Sequence, residues 1–205
     1  MNDTLYLLKI KLVDIEPEIY RHFVVPADIT LDRLHDVIQI VMGWKDAHLH
    51  GFSISAKMYQ EHPESKDDGA DEKLFRLGDL INAKGRTFNY LYDFGDCWEH
   101  DITILNNNYI NPESKVVVEC LEGAGACPPE DVGGVPGYFE FCQVLKDPNH
   151  KEHENYKAWY AGFPWYNKVF NSEHYDIENV NCELLKYLRW SRERVKPWNK
   201  AKPSS

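Results

Sequence analysis

Hydrophobic side chains recur at every second position in much of the first half of the sequence, which is the period of a β-strand with one buried face. In the first such stretch, Leu8 and Ile10 share one face, whereas Lys9 lies on the other. The pattern predicts strands over residues 5–13, 19–25, 48–58, 88–92, 98–104 and 116–121. The first two strands are expected to pair as a hairpin, because only a short segment with Pro17 separates them.

Helical spacing of apolar residues appears once among the strands and dominates the end of the chain. Thr30 is a suitable N-cap for a helix that ends at Met42, and Gly43 is a suitable C-cap. A short helix is expected over residues 76–83, and three helices are expected in the segment that follows Gly137. Because strands precede helices, the order favours an α+β fold with a mixed or antiparallel sheet over a doubly wound fold.

Two polar or glycine-rich segments are predicted to be loops. Residues 60–73 contain six acids and are expected to be exposed, and residues 123–137 are rich in glycine and proline. No linker divides the chain, so residues 1–190 are predicted to form a single α+β domain with its helices packed on one side of the sheet. Residues 191–205 are predicted to form a basic, flexible tail.

Charge and cysteine content limit the classes of partner. The chain has 33 acids, 23 bases and a formal net charge of −10, which disfavours binding to phosphate backbones except through the basic tail. No stretch is apolar for long enough to cross a bilayer, and no signal peptide is recognised. The five cysteines have irregular spacing and are expected to be free thiols, which is typical of the cytoplasm. A small ligand or another protein is the expected partner.

The segment from residue 92 to 101 is the densest group of chemically useful side chains. Asp93 and Asp96 flank Gly95, which allows a sharp turn that would bring both carboxylates toward one point. His100 shares the inward face of a strand with Trp98, so it is either a core residue or a site residue.

A histidine pair suggests that these carboxylates could hold a metal. His48 and His50 lie two residues apart and share a strand face. Imidazole with carboxylate suits zinc, manganese or iron, so the sequence predicts a divalent metal held by residues from two strands. The predicted metal ligands are His50, Asp93, Asp96 and His100.

The segment from Cys120 to Gly134 is the second candidate. Its two cysteines lie seven residues apart and could bind zinc, although the usual CxxC spacing is absent. It is not a phosphate loop, because it has no Lys or Arg and carries Glu130 and Asp131. The simpler interpretation is a rigid loop whose acids cap the helix beginning near Gly137 or pair with Arg21.

Several blocks of the sequence together resemble the plasmid pRiA open-reading-frame-three-like family. They are Ile19-Tyr20-Arg21, Leu34-His35 with Met42-Gly43-Trp44, His48-Leu49-His50-Gly51-Phe52, Tyr92-Asp93-Phe94-Gly95-Asp96-Cys97-Trp98-Glu99-His100, and Cys127-Pro128-Pro129-Glu130-Asp131-Val132-Gly133-Gly134. The resemblance covers roughly residues 4 to 190 and implies a roll-like α/β fold. It implies no activity. Some members have been labelled resolvases. This sequence does not support that label, because it contains no recognisable active-site pattern of a serine recombinase.

Polar residues carry much of this resemblance, which suggests that they meet in one place or form a buried ionic network. The candidate functional cluster is Arg21, His50, Asp93, Asp96, Trp98, His100, Glu130 and Asp131.

Three functions remain open at this point, and the sequence does not decide whether the chain is an enzyme. The first is a binding or interaction module whose acidic site, lined by Trp44, Tyr92 and Trp98, takes a cationic or peptide ligand. The second is a metal-dependent hydrolase or nuclease in which Glu130 acts as general base. The third is a purely structural role for the cluster.

Overall fold

A computed structural model describes residues 4–63, 65, 68–110, 117–166 and 169–190. The strands in these residues are β1 (Leu5–Leu12), β2 (Tyr20–Pro26), β3 (His50–Ile54), β4 (Lys57–Gln60), β5 (Ala70–Asp71), β6 (Thr87–Tyr92), β7 (Trp98–Tyr109) and β8 (Glu119–Ala124). The α-helices are α1 (Leu31–Met42), α2 (Leu77–Leu80), α3 (Gly134–Lys146), α4 (His153–Ala161) and α5 (Ile177–Trp190). The predicted tail lies outside the described residues.

All eight strands belong to one sheet, in the order β5-β4-β3-β6-β7-β1-β2-β8. β4 and β5 pair in parallel, and the other neighbours pair antiparallel. Strands dominate the first part of the chain and helices the last. The predicted α+β class with a mixed sheet is therefore confirmed.

One face of the sheet carries the core. Along β7, Trp98, His100 and Ile102 are buried, whereas Glu99 between them is exposed. The apolar side of α1 joins the same core, which contains residues from both ends of the described chain, such as Tyr6 and Leu184. The helices therefore lie against the buried face, and the charged side chains of the alternating pattern point away from it.

Helix α5 covers the β8 edge of the sheet. Its Asn181 side chain makes the pair of backbone hydrogen bonds that a neighbouring strand would make. The Asn181 amide donates a hydrogen bond of 2.9 Å to the Cys120 carbonyl oxygen, and its own oxygen accepts one of 2.8 Å from the Cys120 amide. The backbone groups of an exposed edge would otherwise be open to pairing with another chain. The contact fixes the C-terminal helix against the sheet.

The strand predicted over residues 48–58 is wrong, because the chain reverses inside it. β3 and β4 form a hairpin, and both turn residues, Ser55 and Ala56, have left-handed backbone with φ of 51° and 60°. Two-residue hairpin turns of this kind favour Asn and Gly, which are absent here. The alternating pattern continues through the turn, so the sequence carried no signal for it.

Two further predictions require correction. The predicted loop over residues 60–73 contains β5 and the start of a 3-10 turn at Glu72, a residue that is buried rather than exposed. The strand predicted over residues 116–121 is β8, which lies further along the chain.

Helix α1 has the predicted limits. Gly43 ends it with φ of 109°, and its amide donates to the Gln39 carbonyl at 2.9 Å, while the Thr30 side chain makes no capping hydrogen bond. The last carbonyls of this helix point toward Arg21, which lies on β2.

Candidate metal centre

Side chains from three separate segments converge beside the N-terminal end of β3. His48 Nε2 lies 3.2 Å from Asp131 Oδ1, 3.7 Å from Asp93 Oδ2 and 3.8 Å from Glu130 Oε2. His48 immediately precedes β3, Asp93 follows β6, and the two remaining acids precede α3. Among the described residues, His48, Asp93 and Asp131 place ligand atoms within 4.8 Å of one another. We call His48, Asp93, Glu130 and Asp131 the acidic centre.

Backbone hydrogen bonds hold Asp93 in position. Its backbone is left-handed, with φ of 56°, and its amide donates to the Leu49 carbonyl at 2.9 Å. One carboxylate oxygen, Oδ1, accepts the Gly95 amide at 2.8 Å. These contacts orient the other oxygen, Oδ2, toward His48. The tight turn predicted from Gly95 therefore positions one carboxylate rather than two.

Glu130 is held in a similar way but is more deeply buried, with a side chain that is 2% exposed. Its Oε1 accepts the Lys45 amide at 2.7 Å and the Tyr92 hydroxyl at 3.0 Å. The amide of Glu130 donates to the Tyr166 hydroxyl at 2.8 Å. Burial raises the pKa of the Glu130 carboxyl above its ordinary value.

Two buried atoms of the acidic centre make no well-aligned hydrogen bond, although one of them, His48 Nε2, lies 3.2 Å from Asp131 Oδ1. They are His48 Nε2 and Glu130 Oε2, which face each other at 3.8 Å. A direct hydrogen bond would bring these atoms to about 2.7–3.2 Å. Buried polar atoms without partners are uncommon and cost free energy, so a group that contacts both atoms would relieve this cost.

The histidines that the sequence favoured as metal ligands lie elsewhere. His50 Nε2 is 3.0 Å from both oxygens of Glu72, and its ring stacks on that of His35 at 3.5 Å between centroids. His100 is fully buried on β7, and the Trp44 indole donates to its Nε2 at 3.3 Å. β6 separates the two strands, and the Tyr90 ring on it contacts both imidazoles.

Asp96 also lies outside the group that surrounds His48. Its Oδ2 accepts the Gly133 amide at 2.9 Å, so it supports the first turn of α3. The predicted ligand set of His50, Asp93, Asp96 and His100 is thus not brought together, and Asp93 alone belongs to the acidic centre. The expectation that Glu130 and Asp131 cap α3 is corrected as well, because Asp96 makes that contact.

Arg21 is buried apart from the acidic centre and pairs with carbonyl oxygens rather than with Glu130 or Asp131. Its guanidinium donates to five of them at 2.6–3.4 Å, and they belong to Tyr20, Val41, Met42, Ala124 and Gly125. The same group lies 3.7 Å from the centre of the Tyr175 ring. Arg21 therefore joins the end of α1 to β8 and serves the fold.

The aromatic residues expected to line a binding site are part of the core. Trp44, Tyr92 and Trp98 are all buried, and Trp44 packs against the other two rings. Of these residues, Tyr92 contacts the acidic centre, through its hydroxyl. Cys120 is also not part of the centre, because its thiol lies 3.0 Å from the Tyr175 hydroxyl.

His48 is the member of the acidic centre that the predicted ligand set left out. The sequence placed it with His50 on one strand face, but β3 begins at His50, so the two rings point to different neighbours. The available signal was the HxH pair itself, which contained the correct residue beside the one chosen.

Comparisons with known proteins place the chain among its relatives. A profile of the family described as plasmid pRiA4b ORF-3-like protein matches residues 4–182. The chain belongs to this family. An uncharacterised protein, y4hQ, of Sinorhizobium fredii is 41% identical over 155 residues, which cover 74% of this chain and 78% of that protein.

A crystal structure supports the fold of this family member. It is that of a protein of unknown function, MM3350, from Methanosarcina mazei Go1, with a TM-score of 0.76 and 31% sequence identity. The match covers 87% of this chain and 98% of the other. In the part of the chain described here, no helix combines the length and apolar character that crossing a membrane requires.

Proposed function

We propose that this protein is a binding module whose site is a divalent-cation centre held by His48, Asp93 and Asp131. The observation that carries the proposal is the spacing of their ligand atoms, with His48 Nε2 3.2 Å from Asp131 and 3.7 Å from Asp93. Ligands about 2.1 Å from one ion and about 90–110° apart are separated by about 3.0–3.5 Å. The distances are thus close to those around an ion and, for Asp93, too long for a direct hydrogen bond.

The chemistry of the ligands supports a borderline or hard divalent ion. One imidazole and two carboxylates suit zinc, manganese or iron(II). Three protein ligands leave a coordination position for water or another ligand, as in catalytic rather than structural zinc sites. A positive ion would also offset the repulsion among the clustered carboxylates.

A titration of metal-free protein tests this proposal. After treatment with a chelator and dialysis, we expect wild-type protein to bind one Zn²⁺ or Mn²⁺ per chain by calorimetry, with a higher melting temperature when loaded. Asp93→Asn should weaken binding at least roughly 10-fold because it removes a charged ligand. Asp101→Asn, a half-buried carboxylate on β7, is the matched control and should bind as wild type does. Binding that is absent, or equal in the two variants, contradicts the proposal.

A metal-dependent hydrolase is the second candidate, and the position of Glu130 favours it. Glu130 Oε2 lies beside the ligand set, is buried and has no hydrogen-bond partner. A carboxylate with a raised pKa in this position can accept the proton that a water molecule loses when an ion activates it. In this role Glu130 would act as general base and not as a ligand.

Glu130→Gln should separate catalysis from metal binding. We expect the variant to retain the ion and to lose hydrolysis of an activated ester or phosphodiester that wild type cleaves. The metal-free variant should also melt at a higher temperature than metal-free wild type at neutral pH. The folded-state pKa of Glu130 is raised, so its contribution to stability is lost as the pH rises through that value. The difference in melting temperature between the two metal-free proteins should therefore shrink as the pH falls to about 4. Hydrolysis that persists in the variant would rule out Glu130 as the base.

The cysteines support a cytoplasmic location for this protein. All five are free, at Cys97, Cys120, Cys127, Cys142 and Cys182, and free thiols are typical of reducing compartments. The net charge of −10 supports a small ligand or protein partner over nucleic acid.

A further inference from the structure

A surface cavity adjoins the acidic centre on the side of α4. It has a volume of about 330 Å³ and is lined by Asp131, Val132, Asn155, Tyr156 and Trp159. This size is at the lower end of small-molecule sites. Asp131 belongs both to this lining and to the acidic centre, so a ligand in the cavity would lie beside the proposed ion.

The apolar wall of the cavity is packed against other aromatic rings and remains partly exposed. Trp159 is 36% exposed, while its ring packs edge-on against Phe141 and Phe163 at centroid distances of 5.7 and 5.1 Å. An indole that is held in place and still accessible offers a preformed aromatic surface. Such surfaces attract organic cations as well as apolar groups.

One carboxylate lines this cavity and two others lie next to its lining residues. The side chain of Asp131 is 64% exposed, so it can pair with a ligand in solvent. Glu140 lies near Tyr156, and Glu152 accepts a hydrogen bond of 2.8 Å from the side-chain amide of Asn155. Combined with the negative net charge of the chain, these acids make the cavity attractive to a positive group and repellent to an anion.

We propose that this cavity binds an organic cation of the alkylammonium or guanidinium type, with Asp131 as the opposite charge and Trp159 as the aromatic contact. Asp131 lies 3.2 Å from His48 through Oδ1, and a carboxylate can bridge an ion and an ammonium group through its two oxygens. The cation is carried by a lysine or arginine side chain of a peptide, or by a free amine. The inference rests on the proposed function only in placing this ligand beside the ion.

Paired probes that differ by one charge test the inference on the full chain. The first pair is Nα-acetyl-lysine amide and Nα-acetyl-norleucine amide, which share an alkyl chain but differ in the ammonium group. We expect calorimetry with metal-free protein to show the lysine probe binding at least roughly 10-fold more tightly. A lysine-containing tripeptide and 1,5-diaminopentane distinguish a peptide ligand from a free amine. Equal affinities for the members of the first pair, or no lysine binding, overturn the inference.

Tryptophan variants locate the binding site. Trp159→Leu should weaken lysine-probe binding roughly 5-fold, because leucine retains apolar packing but lacks the aromatic surface. Trp165→Leu removes another exposed indole, which is not part of this cavity lining, and should leave the affinity unchanged. Equal affinities in these two variants would contradict the assignment. The selectivity of wild type for lysine over norleucine decides the question even if a variant fails to fold.

The same experiments separate failure of the inference from failure of the proposed function. Lysine-selective binding without bound metal would leave the cavity assignment intact and remove the cation centre. Metal binding without lysine selectivity would leave the cation centre intact and remove the cavity assignment. Asp131→Asn should weaken both metal binding and lysine-probe binding, because this residue is shared by the two sites.

Discussion

Replacement of Arg21 by methionine is expected to lower the free energy of unfolding by about 3–5 kcal/mol. Arg21 is fully buried, and its guanidinium contacts carbonyl oxygens of β2, α1 and the end of β8. Methionine fills much of the same volume but donates no hydrogen bond, so these buried oxygens would lose their partner. A buried oxygen left without any partner costs about 1–3 kcal/mol, and these costs do not add, because several of the carbonyls can keep a backbone partner.

The surroundings of Arg21 leave little room for adjustment. Its guanidinium lies against the Tyr175 ring, and a side chain at Gly123 would overlap both Tyr175 and the Arg21 stem. Arg21→Lys should therefore also be destabilising, since an ammonium group cannot reach carbonyls on three segments at once.

Thermal unfolding measures this effect. We expect Arg21→Met to lower the melting temperature by roughly 6–20 °C, given about 2–4 °C for each kcal/mol in chains of this length. Arg86→Met is the matched control because Arg86 is exposed, and its melting temperature should stay close to that of wild type. Similar melting temperatures for the two variants would show that the hydrogen bonds from Arg21 to the carbonyl oxygens contribute little to stability.

The second large effect is expected at His48. His48 is the nitrogen donor among the carboxylates of the proposed cation centre, and nitrogen ligands favour zinc over magnesium. We expect His48→Ala to reduce zinc affinity by at least roughly 100-fold and to change the weaker magnesium affinity much less. Competition with a chromogenic zinc chelator measures both affinities. His62→Ala removes an exposed imidazole and serves as the control.

A zinc affinity of His48→Ala that equals that of His62→Ala would show that zinc binds elsewhere. A direct contact between His48 and Asp131 would then account for the cluster. This alternative predicts that the His48→Ala variant is less stable than wild type even in the presence of a chelator. The proposed centre predicts the larger loss of stability in the presence of zinc.

Regular alternation made the centre of the sheet predictable. Leu8 and Ile10 on β1, like Trp98 and Ile102 on β7, follow the pattern of a strand with one buried face, and both strands have that structure. The turn at Ser55 and Ala56 was not predictable, because its left-handed backbone is imposed on residues that do not usually favour it.

The candidate site was predictable in its carboxylates and not in its histidine. Asp93, Glu130 and Asp131 meet as the two polar blocks suggested. The choice between His48 and His50 depended on where β3 begins, and sequence patterns locate strand ends poorly. Glu72, taken for part of an exposed loop, pairs with His50 in the core. Such long-range pairing has no local signal.

The most direct test of the cation centre is a crystal structure of the zinc-loaded protein with anomalous diffraction recorded on both sides of the zinc absorption edge. The account predicts a zinc peak within about 2.3 Å of His48 Nε2 and of a carboxylate oxygen of both Asp93 and Asp131. A zinc peak at another place, or no peak with His48 Nε2 bonded directly to a carboxylate, would contradict it.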